Sequence, residues 1–201
     1  MTESQKKNIA PIAGIILAAG SASRMGQPKL LLPWKGEALI YHAARTALSC
    51  LNPVIVVTGA WQKEIQDALN DLPVTMVHNP DWEKGQSTSV RTGINALPYD
   101  AVAAVFLLGD QPYVSKELIQ GLVKEYNQTR PPILAAYVGG KRSNPVLFDR
   151  ATFYDLRQIE GDVGARAIFK YHQIMPYAWP DENLLFDVDT PEDYQKLIKG
   201  I

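Results

Sequence analysis

The sequence has one cysteine, no long apolar run and almost no net charge, and each scarcity argues against a class of protein. The single Cys50 cannot form an internal disulfide, so nothing indicates a disulfide-rich secreted fold. No stretch approaches the roughly 20 apolar residues that a membrane-spanning helix requires. The formal net charge of −1 provides no basic field for nucleic acid or an anionic membrane. We therefore expect a cytoplasmic protein with neither nucleic-acid nor membrane partners.

Histidine is also scarce, and His42, His78 and His172 do not have the spacing of metal ligands. We interpret all three as structural or surface residues. Four tryptophans occur at scattered positions, which are Trp34, Trp61, Trp82 and Trp179. We interpret them as packing residues rather than stacking platforms, and note that Trp82 adjoins the polar stretch KGQSTS.

Apolar runs alternate along the chain with segments of helical periodicity. Four continuous runs are typical of buried parallel strands, at residues 13–18, 54–58, 102–108 and 133–138. Ser115 and Thr190 are predicted to cap helix N-termini, and Pro191 stands at a first helical position. The alternation predicts an α/β protein with an open, doubly wound, mostly parallel sheet and helices on both faces. We expect a flexible tail at residues 1–10 and a single domain at 11–201.

The first apolar run has a second interpretation, as the core of a secretory signal peptide. Lys6 and Lys7 precede it and small residues follow it, as in such peptides. The run is short, however, Gly14 lies within it, and Pro11 stands just ahead of it. Cleavage after the small residues would also remove the first strand of the sheet. We therefore favour a strand.

A loop rich in small residues follows this first strand, with the sequence GSASRMGQPK at residues 20–29. Its small residues allow backbone N–H groups to approach an anion closely, and Arg24 and Lys29 supply positive charge. The spacing matches neither a Walker A loop nor the G-x-G-x-x-G pattern. On spacing alone, an ordinary turn with two solvated cations is an equally open interpretation.

Two carboxylates are expected at the ends of separate strands. Asp110 follows the run at 102–108, where a lone carboxylate is costly unless it is solvated, caps a turn or holds a cation. Asp189 lies after a second short apolar segment, in FDVDTPEDY, where Asp187 is explained as part of a solvated face. Asp110 alone could simply cap its turn. Together with the basic loop, the two carboxylates predict a site for Mg²⁺ and a triphosphate, because Mg²⁺ takes one or two carboxylates and leaves its other positions to phosphate and water.

The motifs occur in the order of a known family. LAAGSASRMGQPKLLL resembles the L-A-(A/G)-G-x-S-x-R-M-G-x-x-K signature of nucleotidyltransferases that join an NTP to a phosphorylated acceptor. Further matches are NPDWEKGQSTSVRTGI, LLGDQP, SNPVLF, GDVGAR and DVDTPEDY. The set covers about residues 13–195 and resembles the MobA-like molybdenum cofactor nucleotidyltransferases, in particular their cytidylyltransferase branch. The resemblance implies a Rossmann-like nucleotidyltransferase fold.

The resemblance also implies roles for individual residues. Those implied to be catalytic are Arg24, Lys29 and Asp110, and those implied to bind Mg²⁺ are Asp110 and Asp189. The implied nucleotide-binding residues are Leu17, Ala18, Ala19, Gly20, Ser21, Arg24, Met25, Gly26, Lys29, Gly85, Ser87, Ser89 and Asp110. The implied acceptor-binding residues are Gln111, Asn144, Pro145, Gly161, Asp162, Gly164, Ala165 and Arg166. In this family LAAG accompanies CTP and LAGG accompanies GTP, so Ala19 implies CTP.

The implied function is Mg²⁺-dependent transfer of CMP from CTP to the terminal phosphate of molybdopterin, which releases pyrophosphate and forms the cytosine dinucleotide cofactor. The nucleophile is already anionic, so the reaction needs charge neutralisation and alignment rather than an activated Ser, Cys or His. A recipient molybdoenzyme or its chaperone would be a further partner. Two alternatives stay open, namely a related transferase for a sugar phosphate or another small phosphate, and a non-catalytic carrier of the cofactor.

Overall fold

The fold is organised around a seven-stranded sheet, seen in a computed structural model that describes residues 11–21 and 27–200. The strands are β1 (Ile12–Ala18), β2 (Pro33–Trp34), β3 (Glu37–Ala38), β4 (Val54–Thr58), β5 (Thr75–His78), β6 (Ala103–Leu108), β7 (Ile133–Val138), β8 (Lys141–Asp149) and β9 (Ile174–Ala178). β2 and β3 pair only with each other, and the other seven follow the order β5-β4-β1-β6-β8-β7-β9. All neighbouring pairs in this sheet are parallel except those of β8, which is antiparallel to β6 and β7.

Helices cover both faces of the sheet. They are α1 (Leu39–Leu48), α2 (Gln62–Ala68), α3 (Gln86–Asn95), α4 (Lys116–Thr129), α5 (Phe153–Gln158) and α6 (Pro191–Lys199). Side chains of β1 alternate between the faces, so Ile16 joins the core under α1, α2 and α4 while Ile15 joins the core under α3 and α5. The predicted fold class is therefore confirmed.

Two helix starts use the predicted caps. The Ser115 hydroxyl accepts a hydrogen bond from the Leu118 N–H at the start of α4. At the start of α6, Thr190 and Asp193 form a reciprocal capping box, with Pro191 in the first helical position. Both caps satisfy backbone N–H groups that the first turn of a helix leaves without a partner.

The apolar runs correctly predict β1, β4, β6 and β7, but no such run marks β2, β3, β5, β8 or β9. The expectation that Asp189 ends a strand is wrong, because the segment before it is the 3-10 helix Glu182–Leu185 followed by irregular chain. The omission of β8 has a clear cause, since this strand begins with polar residues and contains Pro145. Its ladder with β7 jumps from the pair Ala135–Val146 to the pair Ala136–Ser143. Asn144 and Pro145 thus fall in an irregularity of the ladder, where a residue without an N–H is tolerated.

The sheet reverses its strand order between β1 and β6. The chain builds β4 and β5 on one side of β1 and then crosses to β6 on the other. In open α/β sheets, ligands bind beyond the carboxyl ends of the strands at this point. The predicted tail at 1–10 lies outside the described residues. Across the ranges 11–21 and 27–200, no helix has both the length and the apolar character needed to cross a membrane.

Candidate active site

A cavity of about 740 Å³ lies at the carboxyl ends of β1 and β6. Nine of the predicted nucleotide-binding residues line it, namely Leu17, Ala18, Ala19, Gly20, Ser21, Lys29, Gly85, Ser89 and Asp110. We call this the first cavity. Arg24, Met25 and Gly26, which were also predicted to bind the nucleotide, lie outside the described residues. The volume is in the range typical of small-molecule sites.

Lys29 joins the two predicted metal ligands, of which Asp110 lines this cavity and Asp189 contacts Lys29 without lining it. Its Nζ donates to Asp110 Oδ2 at 2.5 Å and to Asp189 Oδ1 at 2.8 Å. The side chains of Lys29 and Asp110 are only 20% and 16% exposed, whereas that of Asp189 is 47% exposed. Asp110 and Asp189, which are 81 and 160 positions from Lys29 in the sequence, thus form one charged cluster with it.

Local packing explains how these distant segments meet. The Val188 N–H donates to the Asp110 carbonyl at 3.0 Å, which ties the segment of Asp189 to the turn after β6. Val188 is fully buried in a small core that also contains Leu32, just after Lys29. Gly109 allows the turn after β6 to pack closely against α1, because a Cβ at this position would lie only 2.8 Å from Ile40 Cδ1. The cluster therefore rests on buried apolar contacts rather than on its charges alone.

The charges of the cluster influence each other. Burial by itself lowers the pKa of Lys29, but Asp110 and Asp189 outweigh it, so the pKa of Lys29 is raised and the ammonium stays charged. Although Asp187 is an exposed residue, desolvation of its carboxyl group and the nearby charges of Asp110 and Asp189 raise its pKa. The Gln111 side-chain amide donates to Asp187 at 2.6 Å and opposes this shift.

The cluster also has the chemistry expected of a divalent-cation site. Asp110 Oδ1 is buried and has no hydrogen-bond partner among the described residues, so it is free to accept a ligand. Within residues 11–21 and 27–200, no group of three or more His, Cys, Asp or Glu side chains is arranged to hold a metal ion. A set of two carboxylates fits Mg²⁺, which completes its coordination with phosphate and water.

The polar loop before α3 closes the opposite wall of the first cavity. Gly85 has a φ of +109°, and a Cβ there would lie 2.7 Å from the Gly161 carbonyl oxygen, so only glycine fits without rearrangement. The backbone N–H of Gln86 donates to Asp162 at 3.2 Å, and that of Ser87 donates to Gly161 at 3.4 Å. Ser87 itself is buried and does not line the cavity, unlike Ser89.

A second cavity, of about 330 Å³, adjoins the first. The two share three lining residues, which are Leu17, Gln86 and Leu108. Four of the predicted acceptor-binding residues line the second cavity, and these are Asn144, Gly164, Ala165 and Arg166. The remaining walls include a cluster of aromatic rings and Arg142.

The other predicted acceptor-binding residues lie elsewhere. Asp162 lines the first cavity, and Gly161 accepts the backbone hydrogen bond of the α3 loop. Pro145 is buried within β8, next to Asn144. Gln111 is buried beside Asp187 and lines neither cavity. The predicted acceptor set therefore divides between the second cavity and its surroundings.

Sequence analysis missed several residues of the walls. Trp61 and Trp82 both line the first cavity, and the Trp61 indole N–H donates to the Ser21 carbonyl at 3.2 Å. Arg142 and Phe169 line the second cavity. Trp82 adjoins KGQSTS and Arg142 lies two positions before Asn144, so proximity to the motifs is the signal that could have found them.

An α/β fold with a cavity at its switch point and a Lys–Asp–Asp cluster beside it fits a protein that binds a phosphorylated ligand there. Comparison with known families then identifies the group. The chain belongs to the family of MobA-like NTP transferase domains, whose model matches residues 14–175. It is therefore a member of a nucleotidyltransferase family.

Several curated relatives match nearly the whole chain. The purine catabolism protein PucB of Bacillus subtilis is 33% identical and covers 94% of this chain and 97% of its own length. The nicotine blue oxidoreductase of Paenarthrobacter nicotinovorans is 30% identical, with 93% and 96% covered. The molybdenum cofactor cytidylyltransferase of Escherichia coli is 25% identical, with 90% and 92% covered.

Solved structures have the same fold. A homologue of Rv0371c from Mycobacterium sp. strain JC1 has a TM-score of 0.85 at 26% identity, with 94% of this chain and 96% of that chain covered. Rv0371c of Mycobacterium tuberculosis in complex with manganese has a TM-score of 0.80 at 23% identity, with 95% and 100% covered.

Proposed function

We propose that this protein transfers the CMP group of CTP to a phosphate group of a molybdopterin-type acceptor. Membership of the nucleotidyltransferase family supports the reaction class. The similarity to a molybdenum cofactor cytidylyltransferase supports the acceptor, and Ala19 in the LAAG loop supports CTP. Two relatives of higher identity carry other names, so the acceptor is the part of the proposal that experiment must decide.

The observation that carries the proposal is the contact between two cavities with different linings. Lys29 and Asp110 line the first, with Asp189 paired to Lys29 beside them, and Arg142, Arg166 and aromatic rings line the second. The two meet at Leu17, Gln86 and Leu108. Such an arrangement suits a reaction that joins a triphosphate to a second phosphorylated molecule, because proximity and alignment supply much of the rate.

The proposed chemistry is a single substitution at phosphorus. An oxygen of the acceptor phosphate forms a bond to the α-phosphorus of CTP, and the bond from that phosphorus to the α–β bridging oxygen breaks. The electron pair leaves with pyrophosphate. Lys29 stabilises the negative charge that accumulates on the triphosphate, and the amides of the loop after β1 orient it. No side-chain nucleophile is required.

A divalent metal ion, proposed to be Mg²⁺, belongs at Asp110 and Asp189. Asp110 Oδ1, which is buried and has no hydrogen-bond partner among the described residues, supports this assignment. A protein with the same fold has been solved in complex with manganese. When bound, the ion neutralises charge on the triphosphate and the leaving pyrophosphate. Asp110 and Asp189 would hold the ion, and Lys29, which contacts both carboxylates, would share them with it.

Pyrophosphate release tests the proposal. The protein is incubated with Mg²⁺, each of the four NTPs in turn, and either molybdopterin or a sugar phosphate. We expect release with CTP and molybdopterin together and not with either alone. Release with a sugar phosphate instead would overturn the acceptor. No release with any pair, although the protein binds molybdopterin, would favour a carrier of the cofactor.

A further inference from the structure

The second cavity combines positive charge with an aromatic wall. Arg142 and Arg166 both line it, and none of its lining residues is an Asp or Glu. Neither guanidinium forms a salt bridge or a hydrogen bond with any residue in the described ranges. Arginines that line a cavity without a carboxylate partner favour an anionic ligand, since the guanidinium fork matches a phosphate or carboxylate.

Aromatic contacts hold Arg142 in place. Its guanidinium lies 4.3 Å from the centroid of the Phe169 ring. That ring is stacked on Phe148 at 6.1 Å, and Phe148 packs edge-on against Phe106 at 5.3 Å. Phe106 and Phe148 are buried in the core between the sheet and α3. The cation therefore rests on a column of rings anchored in the core, which restricts its motion without neutralising its charge.

The pairing register of β6 and β8 fixes the position of Arg142 relative to Asp110. Phe106 of β6 pairs with Val146 of β8, and the two strands are antiparallel. The start of β8, which carries Arg142 and Asn144, therefore lies at the edge of the sheet where β6 ends and Asp110 follows. An anion held at Arg142 would thus lie in the second cavity, at the same end of the sheet as Asp110.

We propose that Arg142 binds the phosphate of an acceptor with a planar ring, that Arg166 assists it, and that Phe169 is the positioning residue of Arg142. This inference rests on the proposed function, and it assigns the residues that would hold the phosphate and the ring of the acceptor. The ring of the acceptor lies against the Phe106–Phe148–Phe169 wall, and the phosphate turns towards the first cavity.

Equilibrium binding of phenyl phosphate tests this assignment without requiring turnover. Calorimetry or ligand-observed NMR is performed on the wild-type protein, Arg142→Ala, Arg142→Lys and Lys29→Ala. We expect Arg142→Ala to weaken binding by about tenfold or more, because it removes hydrogen bonds to a charged group. Arg142→Lys recovers part of the loss, and Lys29→Ala leaves binding within about twofold.

Arg45→Ala is the matched control. Arg45 is exposed, as Arg142 is, and it also lies over an aromatic ring, Tyr41, at 5.9 Å, but it lines neither cavity. We expect this variant to bind phenyl phosphate as the wild type does. We expect Phe169→Leu to weaken phenyl phosphate binding by about threefold. We expect Phe169→Tyr to bind as the wild type does, because it keeps an aromatic ring under the cation.

The outcomes separate this inference from the proposed function. Absence of phenyl phosphate binding, or binding lost in Lys29→Ala but retained in Arg142→Ala, would overturn the inference. If binding depends on Arg142 but no acceptor yields pyrophosphate, the anion site stands and the proposed function fails. If CTP-dependent turnover is found and Arg142→Ala leaves the acceptor KM unchanged, the proposed function stands and the inference fails.

Discussion

The two halves of the sheet build their cavities in different ways. In the parallel half, formed by β5, β4, β1 and β6, the first cavity is made mainly by loops that leave the carboxyl ends of strands. In the mixed half, formed by β8, β7 and β9, the antiparallel β8 places side chains of its own first residues in the second cavity. The loops after the parallel strands thus line the first cavity with backbone groups and a few charged residues. The antiparallel β8 instead lines the second cavity with side chains of the strand itself.

This difference has a functional consequence. Backbone amides and small residues suit a triphosphate, whose chemistry is the same for every acceptor. Side chains at the start of a strand can change without altering the loops beside them. We therefore expect substitutions in the first cavity to affect every reaction of the protein, and substitutions in the second to affect only the acceptor.

The largest effect is expected from Asp110→Asn. The change removes a largely buried negative charge from the lining of the first cavity while keeping the size of the side chain. Under the proposed function, pyrophosphate release falls by at least about 10³-fold, since metal-ion charge stabilisation contributes several kcal/mol. The matched control is Asp155→Asn, which removes a carboxylate that pairs with His172 at 2.6 Å and lines neither cavity. Turnover retained in Asp110→Asn would break the assignment of this cavity to catalysis.

Lys29→Met is expected to have the next largest effect, and in two directions. Turnover falls by about 10²–10³-fold, the usual result of losing one group that stabilises transition-state charge. Binding of Mn²⁺ without nucleotide becomes tighter, because Asp110 and Asp189 no longer share their oxygens with an ammonium group. Calorimetry with Mn²⁺ measures the second effect. Weaker Mn²⁺ binding in this variant would show that Lys29 does not compete with the metal.

The same comparison explains how much could be predicted from the sequence. Buried parallel strands appear as continuous apolar runs, so β1, β4 and β6 were found, and with them the turns that carry Lys29 and Asp110. β8 does not have the sequence pattern of a strand, because its first residues are polar and it contains Pro145. The sequence therefore does not place Arg142 on the wall of a cavity. Phe169 lies in a 3-10 helix, Ala165–Lys170, whose apolar spacing matches neither a strand nor an α-helix.

Ala19→Gly tests the choice of nucleotide within the parallel half. Ala19 is buried at the wall of the first cavity, and Gly at this position is the form that accompanies GTP in the family resemblance. We expect the ratio of kcat/KM for CTP to that for GTP to fall by about tenfold, the effect typical of one methyl-sized change. Competition between the two nucleotides in a single reaction measures the ratio. An unchanged ratio would indicate that other residues of the cavity wall select the base.

The smallest effect is expected away from both cavities, from Tyr126→Phe. Tyr126 is fully buried, and its hydroxyl donates to Asp149, the last residue of β8, at 2.6 Å. Loss of this hydrogen bond lowers the free energy of unfolding by about 1 kcal/mol. A chain of this size then loses about 2–4 °C in Tm. Turnover and phenyl phosphate binding stay at wild-type levels, because Asp149 supports the far end of β8 and not the end that carries Arg142.

The pH dependence of this variant separates the hydrogen bond from general packing. Burial and the bond to Asp149 raise the pKa of Tyr126 from 10.0 to about 12. A group whose pKa is higher in the folded state stabilises the fold fully below the unfolded pKa and loses that contribution as the pH rises through the folded pKa. The wild type therefore loses stability between pH 10 and about pH 12, and Tyr126→Phe lacks this component. Urea unfolding at pH 8 and pH 11 measures the difference, and equal losses in both proteins would show that the hydroxyl of Tyr126 does not stabilise the mixed half of the sheet.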